Sequence, residues 1–298
     1  MTNLAISHEY GSNKMEKILI PDKLNIDANS YRFLAKLQYD IYSCTDTDIE
    51  LDFSKCGFTH SAFTAYFGTL LSISKLWNKN VSISTGNNIS IYNYFRCSGI
   101  YDYYQKTTGN INNNAIPFTN FTDDDDKLMQ YIDNILHHAP IFLSDDCRKM
   151  LFKNIYEIFV NALEHSHSSS GVFSCGHWMP NKQQLIFSVC DAGVGIPQLV
   201  KQKFPDIDSV GAIEWALQRG NSTQQLTAGV PRGLGLADLK DFTELNTGSL
   251  IIFSNNVYYN CSEKTAKIPM RYAIAGTLIT IIIIADYEHV YMLKEEKT

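Results

Sequence analysis

Leu185-Ile-Phe-Ser-Val-Cys-Asp191-Ala-Gly193-Val-Gly195-Ile-Pro197 passes from unbroken apolar sequence onto a carboxylate and then into glycine. The apolar part reads as a buried strand over 184–190, because β-branched and aromatic residues fill it and a turn signal ends it. Asp191 then stands at the strand's end. A carboxylate there can accept a hydrogen bond from a purine amino group, and Gly193 and Gly195 let backbone approach a flat ring closely. The same D-x-G-x-G spacing also suits an ordinary tight turn.

Two further motifs flank this one. Upstream, Glu157-Ile-Phe-Val-Asn161-Ala-Leu-Glu-His165 sets Glu157, Asn161 and His165 at helical spacing on one face of a helix over 145–166. Leu151, Ile155, Ile158 and Ala162 supply its apolar face. Ser144 is the expected cap, with Asp145 and Asp146 in the first turn. A carboxylate and an amide one turn apart suit a magnesium–nucleotide site. The amide oxygen ligates a hard cation, and the carboxylate polarises an attacking water or hydroxyl. A solvated helix face has the same spacing. Downstream, Gly229-Val-Pro-Arg232-Gly233-Leu-Gly235-Leu leads into a helix ending near Leu245. Glycine-rich backbone at a helix N-terminus offers N–H groups to phosphate, and Arg232 adds a charge. A helix cap on a loop would read alike. Between and beyond these motifs the pattern predicts helices over 128–138 and 207–219, strands over 172–178 and 249–254, and a closing strand over 277–285.

In this order, over roughly residues 140–285, the motifs resemble the GHKL superfamily of ATP-binding domains: gyrase, heat-shock chaperone, histidine kinase and mismatch-repair ATPases. The resemblance implies a two-layer α/β sandwich of the GHKL (Bergerat) type over 127–298, with a helix layer on a mixed, largely antiparallel sheet. It implies ATP and Mg²⁺ as cofactors. By that resemblance Glu157 is the general base and Asn161 the Mg²⁺ ligand. Asp191 binds adenine with help from Thr277, while Gly193 and Gly195 frame the pocket. Residues 198–232 form a lid whose Ser222 and Thr223 lie near the γ-phosphate. Arg232, Gly233 and Gly235 meet the phosphates.

Branches of the superfamily differ in detail. Histidine kinases usually carry Asn where this chain has Glu157, and they need a helical hairpin bearing a phospho-acceptor; His137 and His138 have no such hairpin around them. The gyrase-like branch uses a lysine from a following transducer domain, which is not expected after Thr298. The anti-sigma-factor serine kinases keep the Glu and an Asn-Ala-x-x-His string, and the chain is most similar to these.

The N-terminal half reads as alternating strand and helix. Strands are expected at 17–21, 49–53 and 81–84, and helices at 29–42 (capped by Asn29 or Ser30), at 61–77 and from 89 onward, an α/β layer order. Leu51-Asp-Phe-Ser54 followed by Phe58-Thr-His-Ser-Ala62 resembles the signature of STAS domains, the fold of anti-sigma-factor antagonists, over about 17–105. Ala62 stands at the usual phosphoserine position, leaving Ser61 and Thr64 as the alternative acceptors. Residues 1–16 are expected as a flexible N-terminus and 106–126 as a linker, its Asp123–Asp126 run a solvated turn at a helix start.

Composition bounds the function. The chain has 298 residues, 45% hydrophobic and 19% charged, with a net charge of −6. It is neither a disordered chain nor a rod, and it lacks an overall basic footprint, so no nucleic-acid partner is expected. The longest apolar stretch, Ala273–Ala285, falls short of the ~20 residues a membrane span requires. No secretory signal opens the chain, and its seven cysteines include no C-x-x-C pair, which fits a reducing cytoplasm. The expectation is a cytoplasmic, bacterial-type regulatory protein that binds MgATP and hydrolyses it or phosphorylates Ser/Thr on a partner, with a protein partner or homodimer held through the N-terminal domain. The alternative is a non-catalytic ATP-dependent switch; a histidine kinase comes third.

Overall fold

The computed structural model describes residues 15–105, 113–138, 140–165, 170–221, 234–262, 266–286 and 288–293. The N-terminal half contains β1 (Glu16–Leu19), β2 (Lys23–Leu24), α1 (Ala28–Ser43), β3 (Asp48–Asp52), β4 (Phe58–Thr59), α2 (Thr64–Leu76), β5 (Asn80–Ser84), α3 (Ile89–Ser98) and α4 (Ile100–Gln105). Its main sheet is parallel in the order β1-β3-β5, and β2 pairs with β4 beside it. The predicted strand and helix order is present. Asp27, not Asn29 or Ser30, caps α1: its carboxylate accepts the Ser30 N–H at 2.9 Å. A carboxylate three residues before that N–H is the better-placed acceptor.

The C-terminal half comprises β6 (Ala115–Phe121), α5 (Asp125–His137), β7 (Phe142–Leu143), α6 (Asp145–His165), β8 (Val172–Met179), β9 (Gln184–Asp191), α7 (Ile196–Lys203), α8 (Ser209–Ala216), α9 (Gly235–Leu245), β10 (Ser249–Ser254), β11 (Val257–Cys261), β12 (Ala266–Pro269), β13 (Thr277–Ile284) and β14 (Val290–Tyr291). Ser144 caps α6 by accepting the Cys147 N–H at 3.2 Å, as its sequence implies. Asp124 does the same for α5. Seven strands form one sheet in the order β12-β11-β10-β13-β9-β8-β6. Every pairing within it is antiparallel among the described residues, so parallel pairing is confined to the smaller sheets. The segment expected as a linker contains β6, which pairs with β8 and forms the sheet's edge.

Both faces of this sheet are covered. Leu185, Phe187 and Val189 of β9, with Ile279, Ile281 and Ile283 of β13, share a core with α5, α6 and α9. The alternate residues, Cys190, Leu278, Ile251 and Phe253 among them, share a second core with α1 and α2 of the N-terminal half. Strands buried on both faces read as continuous apolar runs, which is why Ile281–Ile284 shows no alternation. The seam is aromatic: Tyr31 of α1 meets Phe63, Phe253 and Tyr258 with ring centroids 5.3, 5.2 and 4.7 Å apart.

Gly68 sets how closely α2 approaches. A Cβ there would lie 2.3 Å from the Phe118 ring of β6, which stacks on Phe173. An exposed helical glycine replaced by alanine gains about 0.5–1 kcal/mol. Gly68→Ala is expected instead to lose about 1–3 kcal/mol by overpacking, read from urea unfolding, with Phe118→Leu restoring part of the loss. A stabilising Gly68→Ala would show that the two halves are not docked in this way.

Candidate functional site

Asp191 ends β9 directly opposite Thr277, the first residue of β13. Its carboxylate accepts the Gly193 N–H at 2.8 Å, which closes the turn after the strand. It is 5% exposed, and burial pushes its pKa up to about 7, against the pull of the Gly193 and Thr277 N–H groups. A carboxylic acid poised between its two forms near neutrality is a recurring property of binding and catalytic sites.

The turn is held from below by residues that the motif reading missed. Ser254 at the end of β10 accepts the Ile196 N–H at 2.9 Å and lies 2.7 Å from the Thr277 hydroxyl. Asn255 donates from Nδ2 to the Val194 carbonyl at 2.9 Å, and its side chain packs against Gly195. Its Oδ1 is buried without a hydrogen-bond partner among the described residues. Gly276 has φ +73°, and a Cβ there would fall 2.2 Å from the Asp191 carbonyl. The signal that could have found this support is the Ser254-Asn255-Asn256 string, an asparagine turn after an apolar strand and hence a hairpin.

Glu157 lies half-buried on α6, and its Oε2 accepts the Gly235 N–H at 3.0 Å, at the first residue of α9. That end of a helix carries unpaired N–H groups and partial positive charge, so it holds an anion, here the Glu157 carboxylate. Asn161 follows one turn later, also half-buried. The helix α6 packs against both β9 and α9 and is the element shared by the two groups of residues. Among the described residues no group of three His, Cys, Asp or Glu is arranged to hold a metal ion. A magnesium ion carried by a nucleotide needs only one or two protein oxygens, and the Asn161 amide is of the right kind.

Other expected residues fall differently. Arg232, Gly233, Ser222 and Thr223 lie outside the described residues. The segment 198–232 contains most of α7 and all of α8, where one helix over 207–219 was expected. After α8, Arg219 pairs with Asp238 and Asp241 of α9 at 2.7 and 2.8 Å. Ser61 and Thr64, the alternative acceptors of the N-terminal half, are 4% and 1% exposed and so are shut away from a phosphorylating enzyme. The turn bearing Ser61 faces β8 and β9. His137 ends α5, with its Nδ1 2.8 Å from the Asp133 carbonyl oxygen. No protein-family model matches the chain, and no curated protein matches it in sequence.

A raised carboxyl pKa has a defined signature. Between the unfolded value of 3.8 and the folded value of about 7, the native state binds more protons than the unfolded state. This contribution to stability is complete below pH 3.8 and is lost as pH rises through about 7. The unfolding free energy of the natural chain minus that of Asp191→Asn should therefore fall over this window, by at most about 4 kcal/mol. Denaturant unfolding at stepped pH checks it, and a flat difference would place Asp191 in contact with water.

Proposed function

We propose that the C-terminal half is a MgATP-binding domain of the GHKL type, and that the protein is a cytoplasmic regulator that hydrolyses ATP or transfers its γ-phosphoryl group to a Ser or Thr of a partner. The observation that carries this reading is the Asp191 turn. The buried Asp191 carboxylate, held by the Gly193 N–H and drawn on by the Thr277 N–H, keeps lone pairs that a purine amino group would meet. Gly193 and Gly195 line the turn, while Gly235 opens a helix whose N–H groups suit phosphate.

In this reading the Asn161 amide holds Mg²⁺, which neutralises phosphate charge when bound. Glu157 would accept the proton of the attacking water or hydroxyl as its oxygen bonds to the γ-phosphorus and the bond to the bridging oxygen breaks, with ADP leaving. Its carboxylate must first leave the α9 N-terminus or share it with the arriving phosphate, because both are anions drawn to the same N–H groups. The N-terminal half, STAS-like in its strand and helix order, serves as an interaction module. Its α2 face is engaged with the large sheet, so a protein partner or second copy would use the opposite side.

The second reading, an ATP-dependent switch without turnover, is favoured by the Glu157–Gly235 hydrogen bond. A carboxylate held there is a restrained group that ligand arrival would release, moving α9 without chemistry.

Calorimetry with MgATP on the full chain tests the pocket. Saturable binding that depends on Mg²⁺ is expected, weakened about tenfold or more in Asp191→Ala by loss of a charge-assisted hydrogen bond. No binding to the natural chain would overturn the proposal. Glu157→Ala should retain binding and lose phosphate release; phosphate release at the natural rate would remove Glu157 from the chemistry, and its absence from both chains would favour the switch.

A further inference from the structure

A cleft of about 580 Å³ opens on the face of the large sheet opposite α6, at the seam between the two halves. Its floor follows the sheet: Ile186, Ile282 and Ser249 stand side by side across β9, β13 and β10. Ile251 and its partner Asn260 extend the floor. Its walls come from elsewhere. Lys23, Asn25 and Ile26 arrive from the segment after β1, Phe58 and His60 from β4 and the turn beyond it, and Lys182 from the β8–β9 connection.

Every charged or titratable side chain lining the cleft is basic, and among the described residues none of its lining is acidic. Neither lysine has an ion-pair partner among the described residues. His60 is 7% exposed. Its Nδ1 accepts the Ala62 N–H at 3.2 Å, so the neutral ring carries its proton on Nε2, and no acceptor meets that proton among the described residues. Burial, with repulsion from Lys182 and His177, pushes the pKa of His60 down to about 4, which keeps the ring neutral near pH 7. On the floor, Asn260 Oδ1 is buried without a partner among the described residues. Two exposed ammonium groups without ion pairs and the Nε2–H of a largely buried imidazole thus line one cleft with no acceptor among the described residues. The volume lies in the range of small-molecule sites.

We infer that this cleft binds a small oxyanion-bearing molecule, its phosphate or carboxylate group held by Lys23 and Lys182 and by the Nε2–H of His60. Asn260 and Gln184 face the uncharged remainder. The ligand bridges the two halves and so stabilises their docking. The site is separate from the Asp191 turn and does not depend on any reading of it.

The test titrates the full chain with inorganic phosphate and, separately, with citrate, following the imidazole resonances of His60 by NMR and the thermal midpoint. Binding of either anion should shift the His60 resonances and raise the midpoint. Lys23→Met and Lys182→Met replace exposed side chains, so the fold is retained, and each should weaken binding about tenfold. Saturation by phosphate alone assigns a phosphate ligand, by citrate alone a carboxylate. Phosphate bound instead at the α9 N-terminus would leave His60 unmoved and be indifferent to both lysines. That result, or silence of His60 toward both anions at about 10 mM, overturns the inference.

Discussion

The antiparallel ladder between β9 and β13 is the interaction on which the rest depends. It runs from Gln184 opposite Ile284 to Asp191 opposite Thr277, at the centre of the seven-stranded sheet. Its side chains alternate between two cores. A one-residue slip would exchange Phe187 and Ile281 with Ser188 and Thr280, whose hydroxyls lie 2.8 Å apart on the other face. Register is therefore fixed by both layers at once. The same register brings the Asp191 carboxylate beside Thr277 and seats Gly276 against the Asp191 backbone.

Burial on both faces also accounts for the electrostatics of the site. Asp191 ends a strand that is buried from Leu185 onward and is itself buried, so its charge is poorly solvated and its proton is held more tightly. Glu157 is placed otherwise. It sits half-buried on a helix and finds an N–H at the start of another. Two carboxylates of one domain thus differ because one terminates a buried strand and the other meets a helix end.

Much of this was legible in the sequence, and the misses have physical causes. Periodicity located α6, β8, β9, β10 and β13 to within a few residues, because each carries a long apolar pattern or a clear cap such as Ser144. The strand β6 was hidden: Ala115-Ile-Pro-Phe-Thr-Asn-Phe121 holds a proline and polar residues, as an edge strand tolerates. The hairpin β10–β11 is obscured because Val257-Tyr-Tyr-Asn-Cys261 is short and its turn lacks the glycine that marks a tight hairpin. Asp191, Gly193, Gly195, Glu157 and Gly235 stand in short motifs whose spacing is visible in the sequence. That spacing carries nothing about Ser254 and Asn255, which act through a tertiary contact. The cleft at the seam was invisible for the same reason, since Lys23, His60 and Lys182 converge only on folding.

The edge strand β6 has a bearing on how the chain divides. It follows directly on the N-terminal half yet completes the sheet of the C-terminal half, and Phe118 within it packs on α4 and on β8 through Tyr103 and Phe173. A cut before β6 would leave Phe173, Cys190, Phe253 and Leu278 facing water as one apolar sheet surface, and a cut after it would also expose the β8 backbone edge. Neither fragment boundary yields a self-sufficient unit. The two halves are therefore not exchangeable without repacking: a change of side-chain volume on one side of the seam must be met on the other.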